Sequence, residues 1–320
     1  MDGAVPGRDA AGRREGGGRD LRRPGLCLYA AEHRLLLRRG SETLLLAFVD
    51  PHREGVDLWR TDAFRSCVPP LRADRARALG GDPRRWAHRF AQDLLDSPDS
   101  PLHEGRWLLS AEHRLRLGQA PDHGHFAASS ASSTVRPCWE AMIVEGHPDG
   151  YLDWFLHNGS WEVLPLRPLP GPDDGRVKAY RKQARDGSLP PVLLWWVSGL
   201  DCHLVLDGHA RLAAAAAESV APPLLTLHRT LPGDDLAARV DDAARSYTAE
   251  LDRFAALRAR HGPTVPDGAA VAGPRLARVL DDLDRREQFT WAWPLPGGAA
   301  EWDRIAACVS AEDWPAGRRG

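Results

Sequence analysis

The stretch VLDGHARLAA, residues 205–214, links a run of apolar residues to an alanine-rich segment through the turn Asp207-Gly208. The apolar run before the turn predicts a β-strand, and the segment after it predicts a helix that begins at His209. A strand that passes through glycine into a helix places unpaired backbone N–H groups and the positive end of the helix dipole at one point. The stretch therefore predicts an anion site at the turn.

The side chains of this turn suit a phosphate group. Gly208 has no Cβ, so a phosphate can approach the backbone closely. His209 and Arg211 can add donors, and the planar guanidinium matches the spacing of phosphate oxygens. Asp207 has two interpretations, which are a simple N-cap that accepts from backbone N–H groups or an acid that takes part in chemistry with Mg²⁺.

The elements around the turn form a small α/β unit over residues 161–230. Strands are predicted at 161–164, 192–197, 202–206 and 224–228, with helices at 176–185 and 209–219. Asp173 and Asp174 precede the first helix, where they can cap it or hold a metal ion. Lys178 and Lys182 lie four residues apart on one face of that helix, which can reach a phosphate tail or face solvent.

Residues 205–214 resemble the D-G-H-x-R-x-x-A signature of the ParB/sulfiredoxin superfamily, and residues 177–191 resemble its helix and G-x-x-P-P approach to the next strand. The resemblance covers residues 161–228 only. It implies nucleotide binding, with His209 and Arg211 as phosphate ligands and Gly208 as the point of backbone approach. Members of the superfamily include CTP-using DNA-partition proteins, ATP-dependent sulfinic acid reductases and free-serine kinases.

This chain departs from the signatures of some of these relatives, and the departures make two of the activities less expected. Sulfiredoxin has a cysteine where this chain has Gly208, which argues against reductase chemistry. Residues 231–320 show neither a helix-turn-helix pattern nor a basic face, which argues against a partition role. Kinase-like members keep D-G-H-x-R, which is the closest match.

We therefore expect ATP or another nucleoside phosphate as the ligand, with Mg²⁺ left open, in a phosphotransferase or nucleotide hydrolase. Asp207 and His209 are the candidate catalytic residues, while Gly208, His209, Arg211, Lys178 and Lys182 are the candidate cofactor-binding residues. Two alternatives stay open at this point. One is a non-catalytic protein-interaction module on the same fold, and the other is a DNA-associated, ParB-like nuclease or adaptor.

The remaining segments predict an α+β protein. Residues 1–24 are a Gly- and Arg-rich tail that we expect to be disordered. Residues 25–160 form an N-terminal α+β region, with strands predicted at 26–29, 34–37, 44–49, 107–109, 114–117, 139–144 and 151–156. Its helical stretch, 72–95, breaks at Asp82-Pro83, where Asp82 can cap the second helix. The apolar face of that helix would be Trp86, Phe90 and Leu94.

Residues 231–320 form a predicted helical region, with a long amphipathic helix that ends near His261-Gly262 and further helices at 274–286 and 299–309. These helices are the expected surface for a protein partner. The formal net charge of −2 supplies no field for nucleic acid, so a nucleic-acid partner is disfavoured but left open. The longest apolar runs are too short to cross a membrane, so no membrane partner is expected.

The cysteines and histidines give few indications of a functional site. The five cysteines are widely spread and include no C-x-x-C pair, which favours a reducing, cytoplasmic location over a disulfide or zinc framework. The stretch Asp122-His123-Gly124-His125 can place two imidazoles on one side of a strand as metal ligands, although a polar loop is the simpler interpretation. The paired Trp195 and Trp196 are expected in the core.

Overall fold

The computed structural model describes residues 23–50, 55–111, 139–154, 162–286, 288–311 and 314. The strands are β1 (Leu26–Ala31), β2 (Arg34–Arg39), β3 (Glu42–Asp50), β4 (Gly55–Arg60), β5 (Trp107–Ser110), β6 (Asp149–Asp153), β7 (Val163–Pro165), β8 (Val192–Val197), β9 (Cys202–Asp207), β10 (Leu224–Arg229) and β11 (Trp293–Pro294). The helices are α1 (Ala73–Leu79), α2 (Pro83–Asp96), α3 (Gly175–Arg185), α4 (His209–Ala217), α5 (Gly233–His261), α6 (Gly268–Arg285) and α7 (Gly298–Val309). The predicted α+β class is confirmed.

The first sheet is a mostly antiparallel meander of β1 to β4, extended by β6 and β11 in the order β11-β1-β2-β3-β4-β6. Its first strands follow the short apolar runs of the sequence. β11 joins β1 in parallel, with Tyr29 opposite Trp293, although the two strands lie at opposite ends of the chain. Completion of this sheet therefore needs the last segment of the chain.

Helix α7 covers one face of the first sheet. Trp302 is 1% exposed and packs among Leu36, Leu46 and Phe48. Its indole Nε1 donates a hydrogen bond to the Leu35 carbonyl at 2.8 Å, so the one polar atom of the ring is satisfied inside the core. Burial of this large ring fixes α7 against the strands.

Helix α2 begins as the sequence predicts. The Asp82 side chain accepts from the Arg84 backbone N–H at 2.9 Å, and Pro83 occupies the first helical position. Trp86, Phe90 and Leu94 recur at four-residue steps and are all buried. The predicted cap and apolar face are both confirmed.

The second sheet has the order β5-β10-β8-β9-β7. Leu212 of α4 packs on it, and Ala184 of α3 packs against Ala215 of α4. β8 is buried along its whole length, as its apolar run predicts. β8 and β9 form the predicted antiparallel hairpin, while β7 runs parallel to β9 and β10 runs parallel to β8. The amino end of β8 therefore lies at the same sheet edge as the carboxyl ends of β7 and β9.

Three sequence predictions are wrong in detail. The strand predicted at 139–144 is a 3₁₀ turn (Trp139–Met142), after which Ile143 makes an isolated bridge to Val163. The strand predicted at 151–156 begins earlier, at Asp149. Helix α6 begins at Gly268 because Asp267 caps it by accepting from Ala269, so Pro274, predicted as a helix start, lies inside the helix. Residues 1–22 of the predicted tail at 1–24, the strand predicted at 114–117 and the Asp122–His125 stretch lie outside the described residues.

The contacts of the chain group it into two compact units. The first contains residues 1–103, 109–227 and 290–320, and the second contains 104–108 and 228–289. The second unit is an antiparallel hairpin of α5 and α6, in which Glu250 pairs with Arg275 at 3.9 Å. In the described part of the chain, no helix is both long and apolar enough to cross a membrane.

Candidate anion site

Gly208 forms the turn between β9 and α4. Its φ of 104° and ψ of 19° lie in the left-handed region, which glycine adopts at low cost. Helix α4 starts at the next residue, and the Leu212 N–H donates to the Gly208 carbonyl at 2.8 Å. The backbone N–H groups of the first turn are left without helical partners, as at any helix start. The predicted strand-turn-helix geometry is therefore present.

The Asp207 side chain does not cap this helix. Gly208 occupies the N-cap position, and no side chain accepts from the N–H groups of the first turn there. The Asp207 carboxylate instead accepts from Nη2 of Arg211, four residues on. The N-cap interpretation of Asp207 is therefore wrong, because a closer cationic partner takes its carboxylate.

Arg211 folds back over the turn. Side chains of a helix lean towards its N terminus, and this one brings its guanidinium above Gly208. A Cβ added at position 208 would lie 2.7 Å from Nη2 and 2.9 Å from Nε of Arg211. Glycine is thus required at this position for two reasons, the positive φ and the close guanidinium.

Several polar atoms around the turn are buried without a partner. Nε and Nη1 of Arg211 and Nε2 of His209 make no hydrogen bond with any part of the chain that the structure describes. Both residues are only 2% exposed, so water does not readily replace the absent partners. Leaving such a group unpaired costs about 1–3 kcal/mol, and more where it is charged. These atoms point to a missing acceptor.

Aromatic residues from the N-terminal region cover the two side chains. The Phe64 ring lies 5.7 Å from the His209 ring, and the Phe90 ring centroid lies 6.0 Å from Cζ of Arg211. Both phenylalanines are fully buried. Asp207, Gly208 and Ala210 are half-exposed, so part of the turn is accessible to a ligand.

Burial shapes the chemistry of His209. It lowers the pKa of the imidazole from 6.5 to about 3, and the nearby cations Arg167 and Arg211 act in the same direction. The ring is therefore neutral at pH 7 and carries its proton on one nitrogen. With that proton on Nε2, His209 can donate to an oxygen of a bound anion.

Arg167 is a cation of this site that sequence reasoning missed. Pro165 pairs with Val205 in the parallel strands β7 and β9. Arg167 and Asp207 each lie two residues beyond this pair, so they leave the sheet at the same level. Arg167 is half-buried and makes no hydrogen bond or ion pair among the described residues. Only the register of β7 against β9 places it beside the turn, and that register is not visible in the sequence.

The two lysines predicted as phosphate ligands lie on α3, and the described residues show neither of them bound to the turn. Both are exposed on α3, and Lys178 pairs with Asp173 at 3.0 Å. Arg181 and Arg185, which flank Lys182, bind Glu218 at the far end of α4, roughly 13 Å from the turn at 1.5 Å per residue. Among the described residues, neither lysine makes a hydrogen bond or an ion pair with residues 207–211.

Other predicted features near the site have structural roles. Asp174 caps α3 by accepting from the N–H groups of Arg176 and Val177. Trp195 and Trp196 are buried, and His203 packs against Trp196 with 4.8 Å between ring centroids. Within the described ranges, no three His, Cys, Asp or Glu side chains gather closely enough to hold a metal ion.

No family model, curated protein or solved structure matches this chain. The resemblance of residues 205–214 to the ParB/sulfiredoxin signature therefore stays a prediction. The groups at the turn can bind an anion between a helix N terminus, a neutral imidazole and two guanidinium groups.

Proposed function

We propose that the protein binds a nucleoside phosphate, with a phosphate group at the turn 207–211. Its ligands are the backbone N–H groups after Gly208, Nε2 of His209 and the guanidinium groups of Arg211 and Arg167. The observation that carries this proposal is the set of buried nitrogens of His209 and Arg211 that lack a partner. The resemblance to the ParB/sulfiredoxin superfamily adds independent support for a nucleotide.

A phosphate fits these groups better than the carboxylate of Asp207 does. The carboxylate reaches one nitrogen of Arg211, while the Nε and Nη1 atoms of the same guanidinium are left over. A phosphate has three terminal oxygens and more negative charge, so it can bind the guanidinium in a bidentate manner and still accept from the backbone. The absence of a Cβ at Gly208 lets this guanidinium lie over the turn, where the phosphate would bind.

Phosphate binding would also change Asp207. When a phosphate takes the guanidinium of Arg211, the carboxylate of Asp207 loses its partner beside the bound group. It then becomes available to accept a proton from an attacking hydroxyl or water, or to bind a Mg²⁺ ion carried by the nucleotide. The arginines would stabilise the charge that develops on the transferred group. This chemistry belongs to a phosphotransferase or a nucleotide hydrolase.

Binding of ATP, ADP and CTP, each with and without Mg²⁺, tests the proposal by thermal shift and calorimetry. At least one nucleotide should raise the melting temperature, and Arg167→Ala should weaken its binding by about tenfold, which corresponds to one lost charged hydrogen bond. Arg258→Ala removes the same charge from an exposed site on α5 and serves as the control. Unchanged melting with every nucleotide would contradict the proposal.

A second candidate is a non-catalytic interaction module, and the Asp207–Arg211 ion pair is the observation that favours it. In such a protein the carboxylate is the permanent internal anion, and the turn needs no ligand. Asp207→Asn should then destabilise the fold by leaving a buried arginine unpaired, with no effect on any nucleotide. Under the first proposal the same change removes a competing anion, so it should tighten nucleotide binding.

A further inference from the structure

A cavity of about 320 Å³ lies in the first unit. Its lining residues are apolar or glycine, with prolines and a tryptophan among them: Pro83, Trp86, Leu189, Pro191, Pro223 and Leu224. Cavities of this size and character hold flat, apolar groups of small ligands. None of these residues belongs to the anion site itself.

Strand register places the cavity at the same sheet edge as the turn. Leu224 of the cavity pairs with Val192 in β8, and the next residue, Leu193, pairs with Asp207. β10 and β9 are therefore separated by one strand, which is about 10 Å at the usual spacing of 4.8 Å. The apolar cavity and the anion turn are thus neighbours along one edge.

Helix α2 contributes a residue to the cavity and another to the anion site. Trp86 lines the cavity, and Phe90, one helical turn further, lies against the guanidinium of Arg211. The two rings are 5.8 Å apart between centroids. Trp86 is held in place because its Nε1 donates to the Gly80 carbonyl at 2.7 Å. One rigid helix face therefore sets the distance between the cavity and the cationic group.

We propose that the cavity receives the base of the nucleotide, so that the ligand is a nucleoside diphosphate or triphosphate rather than a free phosphate or a monophosphate. This inference rests on the proposed function. A flat base suits walls of proline and tryptophan, and base–aromatic contact is tolerant of sequence and substituent. The strands that carry the cavity and the turn are about 10 Å apart, a span that a ribose and more than one phosphate can bridge.

A cavity-filling variant tests this placement without disturbing the anion site. Gly81 lines the cavity, and a Cβ at this position would meet no atom within 4 Å, so Gly81→Phe can enter the space without a backbone clash. Gly233 is equally unobstructed but lies at the start of α5, so Gly233→Phe is the matched control. Calorimetry would measure the binding of ADP, CDP, GDP, UDP and inorganic pyrophosphate to each protein.

The expected result is that one nucleoside diphosphate binds the unchanged protein at least about tenfold more tightly than pyrophosphate. Gly81→Phe should remove this advantage and leave pyrophosphate binding unchanged, while Gly233→Phe should alter neither. Equal binding of pyrophosphate and all the nucleotides would overturn the base site and leave the phosphate site standing. Binding of neither pyrophosphate nor any nucleotide would overturn the proposed function and this inference together.

Discussion

Glycine at position 208 meets two separate demands, and substitution can distinguish them. Gly208→Ala places a methyl group in the left-handed region and against the Arg211 guanidinium, 2.7 Å from Nη2. Gly40 also has a positive φ, but an added Cβ there meets nothing within 4 Å. We expect Gly40→Ala to cost about 1 kcal/mol of unfolding free energy and Gly208→Ala at least about 1 kcal/mol more.

Urea denaturation of the two variants measures this difference. The double variant Gly208→Ala/Arg211→Ala removes the guanidinium that the methyl group would strike. Its loss of stability should therefore be smaller than the sum of the two single losses. Strict additivity would show that the guanidinium does not lie over the turn.

The buried imidazole of His209 should make the protein sensitive to acid. Its pKa is about 3 in the folded chain against 6.5 for an ordinary histidine, so only the unfolded chain takes up a proton between these values. The free energy of unfolding therefore decreases as the pH falls from 6.5 towards 3. His209→Gln should flatten this part of the stability curve, as followed by thermal melting at several pH values.

An exposed histidine, His261 at the end of α5, supplies the control. His261→Gln should leave the pH dependence of the melting temperature close to that of the unchanged protein. A bound phosphate would favour the protonated imidazole, so saturating nucleotide should also reduce the acid sensitivity. Equal slopes in the His209→Gln and unchanged proteins would contradict the burial of this ring as the cause.

At the scale of elements, two neighbouring aspartates precede helix α3, and only one of them caps it. Asp174 accepts two backbone N–H groups, whereas the neighbouring Asp173 is 97% exposed and contacts Lys178. Asp174→Ala should lower the free energy of unfolding by about 1 kcal/mol. Asp173→Ala should have little effect because exposed ion pairs contribute little. Equal losses in the two variants would argue against the cap.

The helical hairpin of the second unit contains its own matched pair of glycines. A Cβ at Gly268 would lie 2.7 Å from Cβ of Phe254, whereas one at Gly273 would meet nothing within 4 Å beyond its chain neighbours. Gly268→Ala should therefore destabilise the hairpin through this overlap. Gly273→Ala should change the stability much less, because its only new neighbour is the ring of the following Pro274. Circular dichroism during thermal melting would report both changes.

The elements that the sequence predicted well have strong local signals. β8 was predicted at its observed bounds because its fully apolar run is followed by a tight turn. The start of α2 was predicted because Asp82 and Pro83 precede apolar residues that recur every four positions. The segment 139–144 is as apolar as a strand but curls into a 3₁₀ turn. In the site, the turn at Gly208 was predictable, whereas Arg167, Phe64 and Phe90 come from other segments and depend on tertiary contacts.

At the scale of the whole molecule, Trp302 links the end of the chain to its beginning. It is buried between α7 and the first sheet, with Trp314 at 5.7 Å and Phe48 at 6.4 Å between ring centroids. Trp302→Ala should cost about 3–5 kcal/mol of unfolding free energy, from lost burial and a residual cavity. Trp291 is 45% exposed, and Trp291→Ala should cost far less. Chemical denaturation compares the two, and similar losses would contradict this role of Trp302.

The pairing of β1 with β11 also bears on how the chain matures during translation. The strands around Tyr29 emerge from the ribosome early, while their partner Trp293 and the covering helix α7 are synthesised only after the whole of the 228–289 hairpin. During that interval the edge of β1 is unpaired and the sheet face that α7 covers is exposed. Exposed edges and apolar faces of this kind bind chaperones. We therefore expect nascent chains that end before residue 290 to be aggregation-prone and sensitive to protease, and resistance to appear only when the final segment has emerged.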